Sequence, residues 1–351
     1  VKENDLILAT HGRSFWMIDD LTPLHQLNEK NKESNVILFK PDLSYRMAQS
    51  GGWRKPNTLL VGENHPNGVI INYYLKNYNS DSDFLKIEIL NKDGSIIRSF
   101  TNNVKKMMDS IDENPVLSNS NDIDYALASS NLKTIMPKSG GNRLIWDMRY
   151  PGFTSFDGMV FYSSPNTGPK VTPGKYDVVL TYNNETFKKE FEIVKDPRVK
   201  ITQDDYEKQL SFLLRVRDEV SKANQIIIDI RKIKNDLDFL LKKVKDKDQI
   251  IQLIKKCKEE LDVIENNIHM TKNQSRQDPL NYGIRINNRI AFLLADSQRG
   301  DYPPTNQSLE FFESIKEELN IEISNFKKVL NTYTMQINNM IEDNAIKFIS
   351  Y

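Results

Sequence analysis

The chain has 351 residues, and its 48 lysines and arginines balance 48 aspartates and glutamates, so its formal net charge is zero. This balance gives no electrostatic reason to expect nucleic acid or an anionic membrane as a partner. The sequence has no run of 18 apolar residues that would predict a transmembrane helix. The single cysteine, Cys257, excludes a disulfide framework and a cysteine-rich zinc site.

The length predicts two or three domains, and the first predicted region covers residues 1–58. It begins with two short apolar runs, Leu6–Thr10 and Phe15–Ile18, which predict a strand pair. The stretch 40–58 is rich in glycine, proline and polar residues, as is typical of a linker. The chain opens on Val1, without an initiator methionine and directly before a strand, so we expect a fragment whose upstream part has been removed.

Residues 59–197 have the alternating polarity of β-strands. A polar stretch at 102–140, with one helical turn near Met107, and a stretch at 151–172 that is rich in aromatic residues, glycine and proline interrupt this pattern, and we interpret both as insertions. The alternation and the intervening turns predict an antiparallel β-sandwich of the immunoglobulin or fibronectin type. The predicted strands are Val69–Leu75, Leu85–Leu90, Ser95–Phe100, Arg143–Met148, Lys175–Tyr182 and Thr186–Val194.

Residues 198–351 change to the three- and four-residue apolar steps of amphipathic helices. The first predicted helix covers about 203–244, with Thr202 as its N-cap, and a shorter helix covers 283–298. The short connections between the stripes predict antiparallel neighbours. We therefore expect a multidomain protein, β then α, in which the sandwich precedes an antiparallel bundle of long helices.

Four segments resemble sequence strings of sortilin-like and BNR-repeat β-propeller proteins. They are Thr10–Asp20 (THGRSFWMIDD), Gly62–Pro66 (GENHP), Asn142–Gly152 (NRLIWDMRYPG), and Thr271–Ser275 (TKNQS) with Asp278–Asn281 (DPLN). Ser14 stands where the first family string has a glycine.

The resemblance implies an upstream propeller, in which residues 5–20 are the end of the last blade. It also implies a secreted protein that is extracellular, periplasmic or associated with an outer membrane. The family is often labelled glycosyl hydrolase, a label that rests on the fold and not on a site in this chain.

Two groups of residues are candidate binding sites. His11 and Arg13 lie in a predicted turn, where they could contact an anion or a sugar at a propeller mouth, or where Arg13 could form a buried ion pair with Asp19 or Asp20. The second group lies on the predicted strand 143–148 and just after it. It consists of Trp146, Asp147, Arg149 and Tyr150.

The second group also has two interpretations. Alternation would place Asp147 and Arg149 on one face of the strand, beside aromatic rings that could stack on a sugar. Alternatively, these residues form structural ion pairs, and Trp146 belongs to the core or to a domain interface. The latter is the interpretation we favour.

The four histidines lack the spacing of a zinc or triad site, and no glycine-rich phosphate loop occurs, so we expect neither a metal nor a cofactor. The leading hypothesis is a non-catalytic accessory region that braces a propeller and presents a protein- or glycan-binding surface. One alternative is that the chain is part of a sialidase-like glycoside hydrolase whose active site lies on the upstream propeller. Another is a subunit of a cell-surface assembly that docks through the helices.

Overall fold

The computed structural model describes residues 4–18, 20–48, 65–103, 132–244 and 247–343. The chain divides into two compact units. The strand unit comprises residues 1–151 and 168–210, and the helical unit comprises residues 152–167 and 211–351. Trp53, the segment Gly62–Asn64 and the helical turn predicted near Met107 lie outside the described residues.

Apart from the five-residue helix α1, strands precede helices along the chain, as predicted. The elements of the strand unit are β1 (Leu6–Ala9), β2 (Phe15–Ile18), α1 (Thr22–Gln26), β3 (Val36–Leu38), β4 (Ser44–Arg46), β5 (Val69–Leu75), β6 (Leu85–Leu90), β7 (Ile96–Thr101), β8 (Leu132–Thr134), β9 (Gly140–Trp146), β10 (Gly174–Tyr182) and β11 (Glu185–Lys195). They form a two-stranded sheet β1-β2, a six-stranded sheet β4-β11-β10-β6-β7-β8 and a three-stranded sheet β3-β5-β9.

The central strand pairs are antiparallel, and two of their turns contain a residue with a positive φ. Gly94, between β6 and β7, has a φ of 87°, and Asn183, between β10 and β11, has a φ of 51°; glycine and asparagine adopt this left-handed conformation most easily. Two edge pairs, β4 with β11 and β7 with β8, are parallel. The sequence did not predict them, because three-residue strands carry too little alternation to be recognised.

Alternate side chains of the two larger sheets form one hydrophobic core. The β6 residues Leu85, Ile87 and Ile89 are fully buried, and they join residues of β5, β9 and β10 in the same cluster. Strand β9 ends at Trp146, whereas the sequence predicted a strand through Met148. The reason is local, because Met148 has a φ of 59°, which no strand accommodates.

The helical elements are α2 (Gln203–Lys243), α3 (Asp248–Ile268), α4 (Pro279–Tyr282), α5 (Ile286–Ser297), α6 (Asn306–Val329), a π-helical turn (Leu330–Thr334) and α7 (Met335–Asp343). The predicted N-cap of α2 is confirmed. The Asp205 amide donates to the Thr202 hydroxyl at 3.2 Å, and the Thr202 amide donates to the Asp205 carboxylate at 3.1 Å. This reciprocal pair satisfies two amides at the start of the helix.

The predicted apolar stripes meet in a second core, to which α2, α3, α5, α6 and α7 contribute. Cys257 of α3 lies inside this core and is fully buried. Burial raises the pKa of its thiol to about 11, so the thiolate, which is the reactive form, is scarce at neutral pH. Within the described residues, no helix is long and apolar enough to cross a membrane.

Tyr176, near the start of β10, is 5% exposed, and its hydroxyl donates to the Thr172 carbonyl at 2.6 Å. Replacing Tyr176 with phenylalanine leaves this carbonyl without its donor, so we expect the free energy of unfolding to fall by about 1 kcal/mol. Urea denaturation measures the loss. Tyr45→Phe is the control, because Tyr45 is 47% exposed, and its loss should stay below about 0.5 kcal/mol. Equal losses in the two variants would contradict a structural role for the Tyr176 hydroxyl.

Candidate interaction surface

The hairpin β1–β2 is a two-stranded sheet with apolar side chains on both faces. The register pairs Leu6 with Ile18 and Leu8 with Trp16, and the alternate pairs are Ile7 with Met17 and Ala9 with Phe15. Cross-strand partners point to the same face of a sheet. One face therefore carries Leu6, Leu8, Trp16 and Ile18, and the other carries Ile7, Ala9, Phe15 and Met17.

The apolar side chains of the hairpin are more exposed than large apolar residues usually are in a folded protein. Phe15 is 79% exposed, Trp16 is 63% exposed and Met17 is 58% exposed. An antiparallel sheet that meets water on one side normally alternates apolar and polar residues, and contiguous exposed apolar surface marks an interaction site. The hairpin therefore has the composition of strands that are covered on both faces.

The turn of the hairpin holds His11 and Arg13, and both side chains are exposed. Gly12 and Ser14 have φ values of 77° and 65°, so both residues adopt the left-handed conformation. The Ser14 carbonyl accepts hydrogen bonds from the backbone amide and the hydroxyl of Thr10, at 3.2 Å and 2.7 Å. The turn is therefore closed by its own backbone, and His11 and Arg13 extend from it.

The base of the hairpin is fixed to the three-stranded sheet through Asp20. Its carboxylate accepts from the Asn72 side-chain amide of β5 at 2.7 Å and from the Thr22 backbone amide at 3.1 Å. A buried pair between Arg13 and Asp20 was one of our expectations, and it is wrong, because Arg13 is exposed in the turn at the opposite end of the hairpin. Asp19 lies outside the described residues.

Trp146 lies in the core of the strand unit and is fully buried. Its ring makes edge-on contacts with Tyr176 and Phe191, with centroids 6.2 Å apart in each case. Its Nε1 donates to the Arg149 carbonyl at 3.1 Å, which satisfies the indole N–H. A ring in this position cannot stack on a sugar from solvent, so the core interpretation of Trp146 is the one that the geometry supports.

Asp147 and Arg149 do not share a strand face, because the strand ends before them. Asp147 is exposed, and its carboxylate accepts the Arg149 backbone amide at 3.3 Å. The Arg149 guanidinium donates to the Gly168 carbonyl at 2.6 Å. Burial lowers the pKa of Arg149, and the Asp147 charge opposes that shift. Both side chains thus stabilise the turn that follows β9.

Tyr150 completes the second group of candidates. Its hydroxyl accepts from the Asn91 side chain at 3.2 Å, and its backbone amide donates to the Pro169 carbonyl at 2.9 Å. Trp146, Asp147, Arg149 and Tyr150 are thus brought together as a structural corner of the strand unit. His11 and Arg13 belong to a different element, so the six candidates do not form one site.

The helical unit contains a buried polar cluster that the sequence did not predict. The Asn287 side-chain amide nitrogen of α5 donates to the side-chain oxygen of Asn224 on α2 at 3.0 Å and lies 3.2 Å from His269 Nδ1. All three side chains are at most 2% exposed. The signal in the sequence was asparagine at positions within apolar helical stripes, where a polar residue has to find partners.

The segment Gly152–Thr167, here called the strap, packs against this cluster. In the sequence we counted it as part of an insertion into the strand region, whereas the structure assigns it to the helical unit. Phe153 is 1% exposed and belongs to the helical core. The Phe156 ring contacts the His269 ring edge-on at 4.9 Å. The strap therefore contributes core residues to helices that follow it in the chain.

An ion network borders the strap. Arg231 donates to Glu265 at 2.8 Å and to the Asp157 carbonyl at 2.8 Å, and its guanidinium lies 4.7 Å from the centre of the Phe156 ring. Lys234 donates to the second Glu265 oxygen at 3.0 Å. Glu265 is 3% exposed, and a buried carboxylate with two cationic donors is well compensated.

Neither a protein-family model, nor a curated protein, nor a solved structure matches the chain. The resemblance of the four segments to propeller proteins therefore stays a prediction. Across the described part of the chain, no group of three or more histidine, cysteine, aspartate or glutamate side chains could hold a metal ion.

Proposed function

We propose that this chain is a non-catalytic accessory region of a secreted or cell-surface β-propeller protein, and that the hairpin β1–β2 attaches it to the propeller. The observation that carries the proposal is the hairpin's two apolar faces, with Phe15 and Trp16 exposed on opposite sides. An isolated two-stranded hairpin is marginal in water, so a partner that covers both faces would also stabilise it.

The strand edges and the apolar faces of the hairpin indicate what kind of surface its partner has. Strands β1 and β2 pair only with each other among the described strands, so each has a free edge that can bond to another strand. The partner must therefore offer a strand edge between two apolar layers. A propeller blade has such a position, because neighbouring blades pack against both of its faces.

The remainder of the strand unit is, in this proposal, an immunoglobulin- or fibronectin-like sandwich that braces the propeller. The strand orders β3-β5-β9 and β7-β6-β10-β11 support it, since both sheets face one core. The Tyr176 hydroxyl, which donates to a backbone carbonyl four residues upstream, also supports it, because a tyrosine corner in such domains makes the same kind of hydrogen bond. The helices α2, α3 and α6 are proposed to be the antiparallel bundle that presents a further binding surface.

Cysteine labelling tests the attachment. Phe15→Cys places a thiol on the hairpin, and the natural Cys257 does not interfere, because it is fully buried and its pKa is raised to about 11. In the 351-residue chain we expect Phe15→Cys to react rapidly with a maleimide. In the natural full-length gene product we expect the same thiol to react at least about tenfold more slowly, since burial excludes the reagent.

The matched control is Ile96→Cys on β7, where the native side chain is 52% exposed and belongs to a different sheet from the hairpin. Its labelling rate should be the same in the chain and in the full-length product. If Phe15→Cys reacts as fast in the full-length product as in the chain, the hairpin is not the attachment point and the proposal fails.

A further inference from the structure

The main chain of the strap is held by side chains of the helices along most of its length. Near its start, the Thr154 amide donates to the Ser221 hydroxyl at 3.1 Å, and the Thr154 carbonyl accepts from Asn224 at 2.7 Å. Farther along, Asn288 binds both backbone groups of Tyr162, accepting from the amide at 2.8 Å and donating to the carbonyl at 3.2 Å. The bonded atoms belong to the backbone, so these contacts do not depend on the strap's own side chains.

The helix side chains that make these bonds are themselves buried. Asn224 is fully buried and Asn288 is 4% exposed. A buried amide without partners costs about 1–3 kcal/mol, so the helices need a peptide backbone at this position. Arg231 adds a donor to the Asp157 carbonyl at 2.8 Å. The helical unit therefore binds the main chain of the strap through buried side chains, and the strap itself turns at Gly158, which has a φ of 74°.

Three aromatic side chains anchor the strap between these backbone contacts. Phe153 lies in the helical core, and the rings of Phe156 and Phe161 contact His269 with centroids 4.9 Å and 6.3 Å away. The strap turns between Phe156 and Phe161, where the Met159 amide donates to the Phe156 carbonyl at 3.2 Å. Main-chain hydrogen bonds give a bound peptide affinity, and apolar side chains that fill pockets give it specificity.

We propose that the helical unit is a binding groove for an aromatic peptide that turns between its anchors, and that the strap is its ligand in cis. The groove consists of Ser221, Asn224, Arg231, His269 and Asn288. The ligand class is a peptide whose aromatic residues have the spacing of Phe153, Phe156 and Phe161. This proposal uses no residue of the hairpin, so it stands or falls independently of the proposed attachment.

The ends of the strap lie close enough together for the strap to be removed. The Tyr150 amide donates to the Pro169 carbonyl at 2.9 Å, directly outside the strap. A Cβ on Gly168 would lie 1.9 Å from the Tyr150 carbonyl oxygen, so the backbone segments touch and only glycine fits there. A link of two glycines can therefore replace residues 152–167 between Pro151 and Gly168.

The test adds a fluorescent synthetic peptide of residues 152–167 to this strap-deleted protein. We expect saturable one-to-one binding by anisotropy. A peptide carrying Phe156→Ala and Phe161→Ala, or a protein carrying Asn288→Ala, should bind at least about tenfold more weakly. Asn320→Ala is the control in the protein, because Asn320 is an exposed amide of α6, and it should leave binding unchanged.

A strap-deleted protein that keeps its helical circular dichroism but does not bind the peptide overturns the proposal. If the deletion unfolds the helices, the peptide should restore their circular dichroism, and failure to restore it also counts against the groove. A second variant carries protease sites after Pro151 and Thr167 and is cut after folding. Its strap should then exchange for added labelled peptide, and a strap that leaves only when the protein unfolds contradicts a separable ligand.

Discussion

Replacing Trp146 with alanine is expected to lower the free energy of unfolding by about 3–5 kcal/mol, the usual loss for a fully buried aromatic residue. The side chain is fully buried, and its removal opens a cavity between Tyr176 and Phe191. The Arg149 carbonyl also loses its indole donor. Urea denaturation at neutral pH, followed by circular dichroism and by tyrosine fluorescence, measures the change.

Trp16→Ala is the matched control, because Trp16 is 63% exposed on the hairpin. Its effect on stability should stay within about 0.5 kcal/mol. Trp146→Phe keeps most of the apolar volume, so we expect a smaller loss than for alanine. A stable Trp146→Ala variant that lost binding to a glycan would instead favour the sugar-stacking interpretation.

The second large effect is a loss of stability between pH 6.5 and about pH 4 that depends on His269. Burial lowers the pKa of this histidine from 6.5 to about 4, and the Arg231 charge acts in the same direction. The Glu265 charge opposes the shift but does not cancel it. The ring is 2% exposed, so a proton can be accommodated only at a considerable cost.

The sign follows from which state binds the proton. Between pH 6.5 and about pH 4 the unfolded chain holds a proton on His269 and the folded chain does not, so acid favours unfolding. The contribution is fully present above pH 6.5 and is lost as the pH falls to about 4. A pKa shift of one unit corresponds to about 1.4 kcal/mol, so the free energy of unfolding should fall by about 3 kcal/mol over this pH range.

Urea denaturation at pH values from 4 to 7.5 measures this dependence, and His269→Gln should flatten it. The slope of stability against pH is the decisive quantity, because the substitution also changes the absolute stability. His25→Gln is the control, since His25 is exposed, and its slope should match that of the native chain. An unchanged slope in His269→Gln would show that the pH dependence comes from other groups.

Much of the fold could be predicted because its signals are local. The long helix α2 and its Thr202 cap follow from the 3.6-residue period and from a hydroxyl placed before two acids. The pairing of β10 with β11 follows from alternation and a two-asparagine turn. These features depend on residues that are neighbours in sequence.

The strap could not be assigned from sequence because its partners are remote. Thr154 bonds to Ser221, 67 positions away, and Tyr162 bonds to Asn288, 126 positions away. No periodicity connects residues at such separations. The sequence also did not show which partners Asn224 and Asn288 would find, because Thr154 and Tyr162 lie in a segment that the pattern placed with the strands.

The candidate site residues also show that sequence spacing alone does not determine which side chains meet in the folded chain. The sequence shows which side chains are close along the chain, and Asp147 and Arg149 are two apart, as residues on one strand face would be. It does not show that β9 ends at Trp146, because the positive φ of Met148 leaves no signature in a residue of that type. The hairpin's apolar character was visible in sequence, whereas its exposure is a property of the folded chain.

The contribution of the strap to the helical core has a consequence for folding order. During synthesis from the amino end, Phe153 and its neighbours are made before any residue of α2. These aromatic side chains therefore stay exposed to solvent until the helices through α5 have been made. Closing contacts across so many residues carries an entropic penalty and slows folding. The helices should therefore collapse early around their own stripes and reach their final stability only when the strap docks.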